Sequence, residues 1–176
     1  MRTEYLIEQE VERVLGLLTL ENRLVMRVLL HTGLRIGDAL QLRPEQLRHN
    51  FWMTEETTGK RRQVGLPEPL LGDLKAAAGE YWVFPGADPR KHRTRQAVGK
   101  DVKRAAAAAR LTANAAPHSA RKVYAVELLK KYGDIERVRR ALNHGGIEVT
   151  LIYALADQRI TAAGMRRRSK PGRKKA

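Results

Sequence analysis

The chain contains no cysteine, which excludes a disulfide framework, a thiolate metal site and a cysteine nucleophile. It also has no apolar run near the ~20 residues that a membrane-spanning helix requires. The N-terminus, MRTEYLIEQEVERV, is acidic and amphipathic and lacks the apolar core of a signal peptide. These absences fit an intracellular, cytoplasmic protein. Acidic residues are also scarce, with 19 Asp and Glu against 34 Lys and Arg, for a formal net charge of +15. At 176 residues the chain suits one domain with a proper core, and its 43% hydrophobic fraction argues against disorder throughout.

The charge is placed unevenly. Glu4, Glu8, Glu10 and Glu12 crowd the first helical stretch, whereas residues 90–110 hold eight Lys or Arg and the C-terminal MRRRSKPGRKK is mostly cationic. A domain this basic, with its cations grouped, points to a polyanionic partner, of which nucleic acid is the commonest.

Apolar periodicity predicts a helix over residues 5–18 and a second through ENRLVMRVLLH that stops at Gly33. A short helix follows in RIGDALQLRP, where Pro44 bars continuation beyond Arg43. FWMTEETTGKRRQVGLP reads as a two-stranded hairpin about a Thr-Gly-Lys turn. PLLGDLKAAAG is a short helix, and YWVFPG is a strand-like apolar patch closed by Pro85 and Gly86. Residues 94–110 form an alanine-rich helix with a basic face. Pro117 opens another helix that ends at Gly133, and Asp134 caps a short one. A Gly-Gly turn, a last helix in EVTLIYALADQRI and a disordered basic tail over 161–176 complete the expected organisation. The fold class is α+β, mainly α-helical, with a small antiparallel sheet inserted after the first helices.

Four places hold polar residues that a core does not ask for. Arg35 follows a glycine turn at a helix start, where free N–H groups favour an anion and a guanidinium fork adds to that; a pairing with Asp38 is the plain alternative. His118 and Arg121, three apart at a helix start, share a face. His144 sits in the NHGG turn, where it could equally be a cap. Tyr153 lies on an apolar stripe that would also suit packing. Together, two arginines, two histidines and a tyrosine make a phosphoryl-transfer set. Guanidinium groups neutralise charge on the phosphate, the tyrosine oxygen can attack, and histidines move protons.

The order Arg…His-x-x-Arg…His…Tyr, carried by HTGLRIGDALQLRPEQL, HSARK and LNHGGIEVTLIY, resembles the catalytic domain of the tyrosine recombinases, the phage integrase family. The resemblance spans roughly residues 5–158. It implies a site-specific recombinase or integrase in which Arg35 and Arg121 clamp the scissile phosphate and Tyr153 attacks it, leaving a 3′-phosphotyrosyl bond. His118 would serve as base or proton relay, and His144 would hydrogen-bond the phosphate. No cofactor, metal, ATP or small-molecule substrate is expected. The expected partner is double-stranded DNA, with no membrane, self-association into a tetramer on DNA, and location at the nucleoid.

Three departures from the family pattern stand out. Thr57 occupies the place of the usual hairpin lysine, a general acid, which leaves Lys60 as the best substitute and Arg61 second. Asn143 replaces a glycine, and Lys122 follows the His-x-x-Arg box where histidine is frequent. Arg61, Arg93, Arg95, Lys100, Lys103, Arg104 and Lys122 are the candidate DNA contacts. The catalytic domain is expected over 1–160. The core-binding domain that precedes it in full-length relatives is expected to be missing. The competing reading is an integrase-fold DNA-binding or accessory protein with little or no cleavage, suggested by Thr57 and the missing clamp domain.

Overall fold

A 13-residue helix, α2 (Leu20–Thr32), runs through the middle of the molecule and buries Leu24, Val25, Met26, Val28 and Leu29. Around it the computed structural model, which describes residues 4–143, places α1 (Glu8–Leu17), α3 (Ile36–Leu40), β1 (Asn50–Thr54), β2 (Arg61–Gly65), α4 (Glu68–Ala77), α5 (Arg95–Ala108), α6 (Pro117–Tyr132) and α7 (Ile135–Ala141). Helix α2 packs against α3, α4, α5 and α6, and a 3-10 turn at Pro44–Gln46 separates α3 from the hairpin. This is the expected α+β arrangement, with the small sheet after the first helices. The predicted Gly-Gly turn, last helix and basic tail, with His144 and Tyr153, lie outside the described residues.

The helix ends follow local chemistry. Gly33 closes α2 and Gly133 closes α6 in the left-handed region, at φ 63° and 66°. The Asp134 carboxylate accepts the N–H groups of Glu136 and Arg137, and the Thr94 hydroxyl accepts that of Ala97. Helix α5 buries Val98, Val102, Ala105 and Ala106 while Lys100 and Lys103 stay exposed. Its small alanines give a close-packed inner face. The hairpin pairs Phe51 with Val64 and Met53 with Arg62 in antiparallel register. Along β1 and just beyond it, Phe51, Met53 and Glu55 face inward while Trp52 and Thr54 face solvent.

One expected element is different. The YWVFPG patch forms no strand, apart from an isolated bridge between Pro85 and His92. Its backbone is met piecewise: the Val83 N–H donates to Leu42 O, the Arg93 N–H to Phe84 O, and the Gly86 N–H to Lys91 O. Pro85 has no N–H to give a ladder. Val83 and Phe84 nevertheless plug the core, which is the apolar signal the sequence carries.

Asp101 ties α5 to the start of α2. Its Oδ2 accepts from the Thr19 N–H, the Thr19 hydroxyl and the Asn22 amide, and its Oδ1 from two Arg104 nitrogens. Burial opposes ionisation, but these donors outweigh it and hold the pKa at about 2, against an ordinary 3.8. A depressed pKa stabilises the fold above pH 3.8, and that contribution is lost as pH falls towards 2. Asp101→Asn is expected to lower unfolding free energy by about 2 kcal/mol at neutral pH. In urea titrations the gap between the two proteins should narrow below pH 4; a gap constant from pH 7 to pH 2.5 would refute the assignment.

Candidate active site

The turn after α2 carries most of the geometry. Past Gly33 the chain goes through Leu34, buried in the core, to Arg35 at the cap of α3. The carbonyl oxygens at a helix C-terminus form its negative end and attract cations. Two arginines use them here. Arg62, from β2, donates to Thr32 O at 2.7 Å. Arg121, from α6 and only 3% exposed, donates through Nη1 to Gly33 O and through Nη2 to Leu142 O at 2.5 Å. The ring of Tyr124, one turn along α6 from Arg121, lies on Gly33, where an added Cβ would fall 2.3 Å from its Cδ1.

Glu55 supplies the compensating charge. Its carboxylate is fully buried and accepts from Arg35 Nη1 at 2.7 Å, from the Thr58 hydroxyl at 2.8 Å and from Arg62 Nη1 at 3.4 Å. Burial pushes its pKa up, but the Thr58 hydrogen bond, Arg35 and Arg62 prevail and hold it below the ordinary value. Arg35 therefore pairs with Glu55 and not with Asp38. Asp38 is itself buried, its Oδ1 accepting the Glu56 N–H. Burial raises the Asp38 pKa despite that bond.

These elements enclose a cleft of about 290 Å³ lined by Arg35 and Gly37 of the α3 turn, Glu56 and Thr57 of the hairpin, Arg95 of α5, and His118 and Arg121 of α6, among others. His118 keeps solvent access. The protein around it removes part of its hydration, and Arg121, Lys122 and Arg35 add positive charge, so its pKa lies below the usual 6.5. That shift favours the neutral imidazole, the form that can accept a proton.

The structure brings Arg35, His118 and Arg121 together and adds Arg95 to them. Lys60 is exposed and is not among the residues lining the cleft, whereas Thr57 is. Arg61 lies on the outer face of the hairpin, its guanidinium 5.3 Å from the Trp52 ring centre. Of the other candidate DNA contacts, Lys100 and Lys103 are exposed. Arg104 is engaged by Asp101 and Leu17 O, and Arg93 donates to Asn22 at 3.3 Å. Lys122 is only 8% exposed, on the inner side of α6 with Ala125 and Val126, so its cation does not lie open at the surface. Glu55 was not singled out from the sequence. The alternation Phe51, Met53, Glu55 on the inner face of the hairpin is the signal that would have found it.

Gly33→Ala is expected to cost about 2–4 kcal/mol, combining left-handed strain with displacement of the Tyr124 ring. Gly133→Ala has similar strain but nothing within 4 Å of the new Cβ, so about 1 kcal/mol is expected. Denaturant melts of both variants measure the difference; equal losses would mean that the ring contact contributes nothing.

Residues 4–159 match the sequence model of the Phage integrase family. The chain is 31% identical over 157 residues to the integrase of Escherichia phage P2, covering 86% of this chain and 43% of that protein. It spans about half the length of the curated relatives it matches. Among solved structures it resembles XerA recombinase, with a TM-score of 0.74 at 20% identity, covering 97% of this chain and 68% of that one. It also resembles the XerH site-specific recombinase in a post-cleavage complex with palindromic difH substrate, with a TM-score of 0.71 at 24% identity, covering 92% and 52%. At such identities the structural likeness speaks for the fold, and the sequence match speaks for descent: the chain belongs to the phage integrase family and carries its tyrosine recombinase catalytic-domain fold.

Proposed function

We propose that the chain breaks and rejoins double-stranded DNA through a covalent 3′-phosphotyrosyl link on Tyr153, as a site-specific recombinase or integrase. The observation that carries this reading is the cleft in which Arg35, His118 and Arg121, drawn from distant stretches, meet with room for a phosphodiester. Membership of the family and the net charge of +15 support it. So does the relative seen bound to its DNA substrate after cleavage.

In this reading the Tyr153 oxygen attacks phosphorus and the bond to the 5′-oxygen breaks. Arg35 and Arg121 neutralise the charge that builds on the non-bridging oxygens. Their forks are already oriented, by Glu55 and by the Gly33 and Leu142 carbonyls, so little reorganisation accompanies the reaction. His118 takes the phenolic proton or relays it, and the leaving 5′-oxygen takes up a proton from water as it departs as a 5′-hydroxyl. His144 donates a hydrogen bond to the phosphate. The 5′-hydroxyl of a partner strand reverses the attack, so the stored bond energy drives rejoining without ATP or a metal. Assembly as a tetramer on DNA, at the nucleoid, completes the proposal, with the exposed Lys100 and Lys103 of α5 leading the contacts to backbone phosphates.

A second reading is favoured by one observation: Thr57, a neutral residue, lines the cleft where the family has lysine, and Lys60 does not. It makes the chain a DNA-binding or accessory protein with little cleavage.

A pool of nicked duplexes with randomised sequence separates the two. Strand transfer predicts a denaturation-resistant protein–DNA adduct, absent from Tyr153→Phe and reduced on the order of 100-fold or more in Arg35→Ala. Binding without adduct gives the second reading, and an adduct that survives Tyr153→Phe removes tyrosine from the mechanism. With His118 as base, the adduct rate should rise with pH through a midpoint below 6.5 and then level off; His118→Ala should abolish that rise, and an unaltered profile would exclude the role. If six to ten phosphates are contacted, affinity should fall about 1000-fold or more between 50 and 200 mM salt.

A further inference from the structure

The cleft that gathers Arg35, His118 and Arg121 has a third guanidinium on its wall, and its donors are the least engaged of the three. One Nη of Arg35 is held by Glu55, and both Nη atoms of Arg121 donate to backbone carbonyls. The Arg95 side chain makes no hydrogen bond, ion pair or ring contact with any described residue. It is the first residue of α5, fixed in place by the Thr94 cap. Its guanidinium carbon lies 3.7 Å from the point where a Cβ on Gly37 would stand, an ordinary packing distance, so the side chain rests beside the first turn of α3.

Arg95 also lines a second cleft, of about 450 Å³, with Gln41, His92, Thr94 and Gln96. The two clefts share Gly37, Glu56 and Arg95. The hairpin contributes the neutral Thr57 and the acidic Glu56 to the first cleft, whereas Lys60 is not on the lining. A diester phosphate in this cleft would thus find its third permanent cation on α5 and none on the hairpin. An unengaged planar fork is the side chain best suited to grip phosphate oxygens.

We propose that Arg95 is a phosphate ligand of this site, gripping the non-bridging oxygens of the same phosphodiester as Arg35 and Arg121 and making good the positive charge that Thr57 does not provide. The proposal rests on the strand-transfer reading for the identity of the phosphate, though not for the existence of the anion site. No proton leaves Arg95, because a guanidinium stays charged throughout; its part is to hold charge and orientation while the phosphorus bonds change.

Two measurements test it. The first is titration of the full chain with inorganic phosphate, followed by calorimetry and by the guanidinium N–H signals in NMR. Arg95→Gln should weaken phosphate binding by about tenfold, in line with the loss of one charge-assisted contact. Arg95→Lys should fall between Gln and wild type, and Lys60→Gln should change binding less than about twofold on the same grounds. Unchanged binding in Arg95→Gln, or a larger loss in Lys60→Gln, overturns the proposal whether or not the protein cleaves DNA.

The second uses a duplex recovered from the covalent adducts, with a neutral methylphosphonate placed at the scissile position or at the next phosphate. The adduct defect of Arg95→Gln should shrink only when the scissile phosphate is the neutral one. Shrinkage only at the neighbouring phosphate shows that Arg95 grips that one and overturns the assignment to the scissile position. If no duplex yields an adduct, the strand-transfer reading fails, while the phosphate titration still decides whether Arg95 belongs to an anion site.

Discussion

Like charges held close together repel, and the cleft gathers three arginines against a single acid, Glu56. What permits its geometry is the negative counterpart behind it: the buried Glu55 carboxylate and the carbonyl oxygens ending α2. Glu55 binds Arg35 and Arg62, and Thr32 O and Gly33 O bind Arg62 and Arg121. Arg35, Arg62 and Arg121 therefore sit in one lattice of donors and acceptors fixed before any ligand arrives. Burial alone would favour a neutral Glu55; its partners keep it charged. A buried charge left without its partners is costly, so removing one member would disturb the others. The hairpin, α2 and α6 are joined electrostatically here, in addition to their apolar contacts.

The elements legible in the sequence were those whose causes are local. Apolar spacing located α1 and α2, and alanine content located α5; Gly33, Gly133 and Asp134 marked ends because left-handed geometry and capping depend on the residue itself. The hairpin followed from its turn. The patch at 81–86 misled because an apolar, aromatic-rich run says that residues are buried and not what its backbone pairs with. Val83 and Phe84 are buried as a strand's residues would be, yet their backbone bonds go to Leu42 and Arg93.

The site divides in the same way. Arg35, His118 and Arg121 were named from residue type and order, and the fold gathers them. Arg35's partner was not legible, because an acid three residues away is visible in a sequence while an acid twenty residues away is chosen by the fold. Arg95 was visible as one cation among many on a basic stretch. Only its place on the lining of the cleft, beside Gly37, separates it from the equally exposed Lys100 and Lys103. Lys122 went the other way: a cation beside the His-x-x-Arg box reads as surface, and the inner side of α6 takes it in.

Helix α2 has a mechanical consequence. One end is fastened to α5 through Thr19, Asn22 and Asp101, and the other holds the carbonyl on which Arg121 rests. Thirteen residues at 1.5 Å each make a strut of about 20 Å between them. Lys100 and Lys103, on either side of Asp101 in sequence, are exposed on α5. The seat of Arg121 is thus joined to the Asp101 anchor through a single helix. The spacing between the α5 anchor and the arginine cluster is therefore set by the length of α2, and an insertion within that helix would change both at once.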